Sequence, residues 1–211
     1  MPLVTQIGQT ADASASIVAA ANLRQTVGVL AAGAETEILA GSFATALAAC
    51  FDAARLAGAS VAAIEAVRAA AAALTPLSAV AGIVVGAVIQ LAIACECRIV
   101  ADMTFASRDQ VESVQSALDL AFDAAIDAAS DDFDQVAVVA LTSLRAAVMR
   151  DLTARARPLP QIVTYTFAQR MPALWIANRL YGDGSRFEDL IAENSPIHPL
   201  FMPATGRALS R

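Results

Sequence analysis

The chain has 211 residues, enough for one or two domains with a sizeable buried core. Its hydrophobic fraction is 57%, but much of this is alanine, which buries little area per residue, and aromatics make up only 5%. A net charge of −6, with every basic residue an arginine, argues against tight binding to a phosphate backbone, which needs clustered cations.

Residues 1–15 are small and polar and read as a flexible arm. They lack the cationic stretch and apolar run that open a secretory signal. Residues 16–103 read as Ala-rich apolar helices, which must pack by close approach because bulky side chains are few. The patterning predicts one helix over 17–33 and a second over 35–58, with Ile38, Leu39, Phe43, Leu47 and Phe51 on one side. A third is predicted over 59–74, with Val61, Ile64 and Val67 at helical spacing and Thr75-Pro76 as its stop. No charged residue occurs between 69 and 95, and the span 77–95 is long enough to cross a bilayer. Gly82 and Gly86 permit close helix packing, Gln90 sits inside the run, and the flanks are equally Ala-rich. These features favour a helix buried in protein or between subunits, with a membrane helix as the alternative.

Cys50, Cys95 and Cys97 are an odd set. Cys95-Glu96-Cys97 is too tight for a four-cysteine knuckle, and His198 is the only imidazole, so metal binding is not expected. Small buried residues are the plain reading of the three. An intermolecular disulfide in an assembled particle exposed to oxidising surroundings is the sharper one.

Residues 104–158 read as an antiparallel helical hairpin. Ser107 and Gln110 have capping-box spacing, and Val111, Val114, Leu118, Phe122 and Ile126 form an apolar stripe over 107–130. Asp119, Asp123 and Asp127 line another face, where like charges at i+4 repel by about 0.2–0.5 kcal/mol per pair. This row reads as a solvated face, with pairing to basic residues of a neighbour as the alternative. Asp131-Asp132 is predicted to open a helix running to 156, with Arg145, Arg150, Arg155 and Arg157 in or after its C-terminal half, as the helix dipole prefers. Val136, Val139, Leu144, Val148 and Leu152 are its expected apolar side. The short Ser-Asp-Asp link implies the hairpin, and Arg157-Pro158-Leu159-Pro160 is a stiff hinge into the C-terminal segment.

Residues 159–211 hold the only Trp, both Tyr and the only His. The β-branched and aromatic run 162–167 predicts a strand. Pro172 suits the first turn of a helix, and Leu174, Trp175, Ala177, Leu180 and Tyr181 are too many apolar positions for one stripe, so this helix is expected to be buried on most sides. Gly182 suits a left-handed cap. Ser185-Arg186-Phe187-Glu188 has a capping-box pattern, and Phe187, Leu190 and Ile191 give the second helix an apolar face. Asn194-Ser195-Pro196 stops it, and 197–202, broken by Pro199, reads as an irregular edge strand. The expected order is strand, helix, helix, strand, with Tyr165, Leu174, Trp175, Ile176, Tyr181, Phe187, Leu190 and Ile191 as the core.

Tyr165-Thr166-Phe167, Ala173-Leu174, Ile176-Ala177, Tyr181-Gly182, Ile191, Asn194 and Pro199 fall in step with the pattern of a LysM module, and this stretch resembles one. A second set covers more of the chain. Ser107-Arg108-Asp109, Leu144-Arg145-Ala146-Ala147-Val148, Asp151-Leu152-Thr153-Ala154-Arg155, Leu159-Pro160, Met171-Pro172-Ala173-Leu174, Arg179-Leu180-Tyr181-Gly182-Asp183, Asn194 and His198-Pro199 are its residues. They resemble the C-terminal half of the Mu-like phage tail proteins known as DNA circulation or circularisation proteins. The resemblance spans 105–209; members of that family carry a separate N-terminal domain that it does not reach. The expected fold is mainly α, an Ala-rich helical bundle and hairpin followed by a small LysM-like βααβ module.

A Ser-His-Asp or Cys-His site needs a histidine oriented by a third group, and His198 stands alone between Ile197 and Pro199, where packing or capping is its plainer role. No Gly-rich phosphate loop is present, and the carboxylate pairs belong to helix ends and solvent. The chain does not read as an enzyme, and no cofactor is expected.

Three functions stay open. The resemblance implies a structural protein of a contractile phage tail, in the baseplate or hub, assembled in the host cytoplasm into the virion, with other tail proteins and copies of itself as partners. As a LysM-like unit, the module is alternatively a peptidoglycan binder. Its glycan groove would lie between the loops 168–172 and 195–200, which makes Gln169, Arg170, Met171, Asn194, His198 and Pro199 candidate docking or glycan contacts. The family's usual Pro-Gly-Asp-Thr is replaced there by Gln169-Arg170-Met171-Pro172, without the turn glycine and capping residues. The third function, holding DNA ends, has only the Arg145–Arg157 cluster to meet phosphate, and nucleic acid is not an expected partner.

Overall fold

The computed structural model describes residues 2–12 and 16–210. Its elements in order are α1 (Pro2–Ile7), α2 (Ile17–Ala40), α3 (Phe43–Leu56), α4 (Val61–Ala72), α5 (Ala79–Asp102), α6 (Arg108–Asp131), α7 (Gln135–Ala156), β1 (Ile162–Thr166), α8 (Ala173–Tyr181), a 3-10 turn (Gly184–Arg186), α9 (Phe187–Asn194) and β2 (Thr205–Leu209). The fold is mainly helical, with one small sheet near the C-terminus. It divides into two compact units, Met1–Met103 with Ala117–Met149, and Thr104–Ser116 with Arg150–Arg211, so that α6 and α7 each contribute to both.

In the first unit, α2 packs on α3, α4 on α5, and α3 on α5. Alanine makes this possible: Ala54, Ala57, Ala71 and Ala92 are fully buried among Leu23, Leu47, Phe51, Ile64 and Val67, and their small side chains let the backbones approach closely. Ser16, Ser60 and Ser78 each cap a helix by accepting the N–H three residues on, at 3.1, 3.2 and 3.2 Å.

The expected flexible arm is in part a helix. Val4 and Ile7 lie one turn apart on α1 and are buried, and α1 contacts α2, α3 and α4. The Thr10 hydroxyl donates to the Ile7 carbonyl at 2.8 Å, and the Asp12 N–H donates to Ala57 at 3.1 Å. The remainder of that expectation, at 13–15, lies outside the described residues.

The first two predicted helices are also redrawn. The first does not end at 33; α2 runs through Gly33 to Ala40, and the break comes at Gly41, whose φ of 72° places it in the left-handed region. A glycine inside a helix costs about 1 kcal/mol, too little to outweigh the burial of Leu23, Val27, Leu30 and Ala34 along one side. Leu39, expected on a shared apolar side with Phe43 and Leu47, is exposed because it precedes that break.

Burial in α5 is concentrated from Val88 onward, and Val80 and Ile83 near its start are exposed. By length and composition alone α2 and α5 are apolar enough to span a bilayer. The buried half of α5 nevertheless carries Glu96, 2% exposed, whose carboxylate accepts from Arg68 Nε of α4 at 3.0 Å.

Parts of α6 and α7 complete this unit. The helix expected to open at Asp131 starts at Gln135 instead. The chain reverses at Phe133, with φ 57°, and Asp134 caps α7 by accepting the Ala137 N–H at 3.0 Å. Val136 is 81% exposed and Val139 is exposed too, contrary to the predicted apolar side. Buried Ala137 and Leu141 continue the steps of Leu144, Val148 and Leu152 backward, so a small alanine holds the position that the larger valines were expected to fill.

The second unit includes the two-stranded antiparallel sheet, with Ile162 opposite Leu209 and Thr166 opposite Thr205. The expected order strand, helix, helix, strand holds, but the second strand is 205–209 and not 197–202. That earlier segment holds Pro199 and is flanked by Pro196 and Pro203, which have no N–H for a ladder, and it closes a turn through Phe201 N–H to His198 C=O at 3.0 Å. Gly182 caps α8 in the left-handed region at φ 73°, as predicted. Pro172 immediately precedes α8 instead of lying in its first turn. The Ser185–Glu188 capping box gives way to Asp183, which accepts the Ser185 N–H at 2.8 Å and opens the 3-10 turn before α9.

The core of this unit is Tyr165, Ala173, Ile176, Ala177, Leu190, Met202 and Ala208. Tyr181, Phe187 and Ile191 pack against it half-buried. Leu174 and Trp175, assigned to the core from sequence, are 60% and 44% exposed. A nine-residue helix packed on α9 and the 3-10 turn buries one stripe, here Ala173, Ile176 and Ala177, and Leu174 and Trp175 fall outside it.

Candidate functional site

The two loops singled out from sequence are joined. The Ala173 N–H donates to the Pro199 carbonyl at 2.8 Å, and the Met202 N–H donates to Met171 at 3.1 Å. These bonds fix the approach to α8 against the segment after α9, so that Gln169, Arg170, His198 and Pro199 form one exposed rim. Met171 packs against the core and is half-buried. His198 caps a turn: its Nδ1 accepts the Leu200 N–H at 3.1 Å, and its ring lies 6.0 Å from that of Phe201. Asn194 is a structural residue instead of a loop contact. Its amide donates to Leu190 and to the Arg207 carbonyl, and its Oδ1 accepts the Arg207 N–H at 2.8 Å.

Large apolar side chains lie exposed in this unit. Ile197, Leu200 and Phe201 come after the second helix, and Leu174 and Trp175 lie on the first. Phe167 holds Trp175 edge-on, with ring centres 5.4 Å apart and an interplanar angle of 73°. Trp175, Asn178 and Arg179 line an open pocket of about 450 Å³. Sequence reasoning placed Trp175 inside and passed over Phe201. The available signal was the shortness of α8, which leaves no room for five buried bulky side chains.

The other singled-out groups resolve differently. Two of the three aspartates in the row, Asp119 and Asp123, are paired within the chain while the face stays partly solvated. Arg145 reaches from α7 to Asp119 Oδ1 through Nε at 2.7 Å and to Asp123 Oδ1 through Nη1 at 2.6 Å. The hydrogen bond to Asp119 raises the Arg145 pKa further, with Asp123 adding to it. Arg155 pairs with Asp151 at 3.3 Å and lies 4.8 Å over the Phe105 ring. Two members of the expected phosphate-facing cluster, Arg145 and Arg155, are therefore committed to carboxylates and packing.

Cys50, Cys95 and Cys97 are free thiols, and all three are buried. Burial pushes the Cys50 thiol up to about 11; burial, with Asp52 nearby, does the same for Cys95; burial, with Glu96 nearby, pushes Cys97 up to about 12. Thiols this hard to ionise and this enclosed are poorly placed for the intermolecular disulfide that the odd count suggested. Among the described residues no three His, Cys, Asp or Glu side chains are grouped as metal ligands.

No protein-family model matches the chain, and no curated protein shows detectable similarity to it.

Proposed function

We propose that this chain is a structural component of a contractile phage tail, in the baseplate or hub. Its LysM-like C-terminal module docks on the tail tube or a neighbouring baseplate protein, and its Ala-rich helices brace against copies of itself. The observation that carries this reading is the outward placement of Trp175 and Leu174 in a unit whose core is complete without them. Tryptophan at a protein surface is the side chain most enriched among the anchors of interfaces. Trp175 is also held in one orientation by Phe167, so little freedom is lost when a partner covers it. The tail setting itself comes from the resemblance over 105–209. The exposed Val80 and Ile83 on α5, and Ile17 and Val29 on α2, support further helix packing in an assembly.

Cryo-electron microscopy of intact particles tests this. The expected result is density for the chain at the tail end, with Trp175 against a second protein. Absence of the chain from purified particles overturns the reading.

One observation favours peptidoglycan as the runner-up partner. An aromatic face beside Asn178 and Arg179 suits a sugar ring and its hydroxyls. Retention on purified peptidoglycan that is lost in Trp175→Ala would replace the docking reading. The pairing of Arg145 with Asp119 and Asp123 counts against DNA-end binding through the Arg145–Arg157 cluster.

A further inference from the structure

Three arginines of the second unit, which the sequence patterns treat separately, come together at a place the docking reading does not use. Arg108 opens α6, Arg157 lies just past the end of α7, and Arg186 closes the 3-10 turn. With Pro158, Leu159, Pro160, Gln161 and Ser210 they line a pocket of about 480 Å³. Among the described residues no Asp or Glu lines it, in a chain whose net charge is −6.

Local bonding holds the walls in place. The Arg108 N–H donates to the Pro160 carbonyl at 2.9 Å, and Asp109 accepts the Ile162 N–H at 2.7 Å, so the start of α6 is tied to the proline hinge. Beyond the end of the sheet, Gln161 and Ser210 bond to each other: the Ser210 hydroxyl oxygen accepts the Gln161 N–H at 2.9 Å, and the Ser210 N–H donates to the Gln161 carbonyl at 2.6 Å. An accepting hydroxyl keeps its own proton to donate. Arg186 is held by Asp189 at 2.9 Å and by the Tyr181 ring at 4.0 Å, and Asp189 offsets part of its charge.

Arg108 and Arg157 are under-used by the protein. Arg108 Nε is buried and has no hydrogen-bond partner among the described residues. A buried guanidinium nitrogen without an acceptor is costly, and such a group calls for an explanation. Among the described residues, neither Arg108 nor Arg157 makes an ion pair. Arg108 is also the first residue of a 24-residue helix, the positive end of its dipole.

We infer that this pocket binds a phosphate group, held by Arg108, Arg157 and Arg186 with Ser210 and Gln161 as neutral donors. Several guanidinium forks suit a tetrahedral dianion with three terminal oxygens better than a single carboxylate. A pocket this size has room beyond the oxyanion for an ester substituent. The inference is independent of the tail assignment.

Calorimetric titration of the full chain with inorganic phosphate, at ionic strength fixed by chloride, tests it. Saturable binding is expected. Arg157→Gln, at an exposed position that makes no ion pair among the described residues, weakens it by about tenfold with melting unchanged, since one charge-assisted hydrogen bond is lost. Arg24→Gln, in the other unit, leaves it as it was. A parallel arm uses a thymidine dinucleotide: if it displaces phosphate, the natural source is a nucleic-acid strand; if it does not, the source is a free phosphate or phosphomonoester. No saturable binding above the chloride control, undiminished binding in Arg157→Gln, or acetate binding as well as phosphate would each overturn the inference. None of these results bears on where the chain sits in a particle.

Discussion

The side-chain amide of Asn194 binds both backbone polar groups of Arg207. Its Oδ1 accepts the N–H at 2.8 Å, and its Nδ2 donates to the C=O at 2.7 Å. In an antiparallel pair, residues alternate between facing the partner strand with both groups and facing away with both. Phe167 N–H to Ala204 and Ser210 N–H to Gln161 mark the inward positions, so Arg207, opposite Thr164, points outward. The asparagine thus stands in for a residue of a third strand and fastens α9 to β2.

Asn194→Ala leaves that outward edge to water and removes the amide bond to Leu190, and should destabilise the second unit by about 1–3 kcal/mol. Gly206→Ala should cost as much or more, because an added Cβ would overlap Asn194 Oδ1 and the Tyr165 ring, both fixed by their own contacts. Thermal melting followed by near-ultraviolet circular dichroism checks both. A Gly206→Ala protein that melts with the parent would show that the strand is free to shift.

Trp175 and Ile176 are neighbours with opposite roles. Ile176 is fully buried, and Ile176→Ala should cost about 2–5 kcal/mol. Trp175→Ala loses mainly the edge contact to Phe167, about 0.5–1.5 kcal/mol, and should leave the unit folded while weakening the proposed docking contact. Equal losses of stability in the two variants would place Trp175 back in the core.

The Arg68–Glu96 pair sets a pH dependence in the first unit. Burial holds the Glu96 pKa above its ordinary 4.5, with Arg68 drawing part of that shift back. A carboxyl whose folded pKa is raised binds its proton more tightly in the folded than in the unfolded chain. Its contribution is therefore fully present below about pH 4.5 and is lost as pH rises through the folded value. Glu96→Gln, which keeps an acceptor for Arg68, should gain stability relative to the parent as pH rises toward neutrality. Arg68→Ala strands the buried carboxylate and should cost about 3–5 kcal/mol at neutral pH. Melting curves across that range decide; parallel curves for Glu96→Gln and the parent would remove the pair from the pH response.

Thiol reactivity reports the state of the first unit. With the Cys50 and Cys95 thiols near 11 and the Cys97 thiol near 12, and all of them enclosed, an aromatic disulfide reagent at neutral pH should leave them unmodified in the native protein. All three should react once denaturant is added. Rapid native labelling of Cys50 would show that the α3–α5 contact opens readily.

Residue order by itself determined the helical class of the body, the Ser107 and Gln110 cap at the start of α6, the left-handed Gly182, and the strand–helix–helix–strand order of the last fifty residues. Each comes from local stereochemistry or from spacing along one element, and both can be read without knowing what packs where. The tertiary structure decided which apolar residues go inside. Val136 and Trp175 have the bulk expected of a core, but Ala137 and Ile176 face the neighbouring element. It also decided that Asp119 and Asp123 meet Arg145, and that Arg108, Arg157 and Arg186 share one pocket. Periodicity sets the angle between side chains around an axis, whereas the direction of the core, and of a charge partner far away in the chain, is set by how the elements assemble.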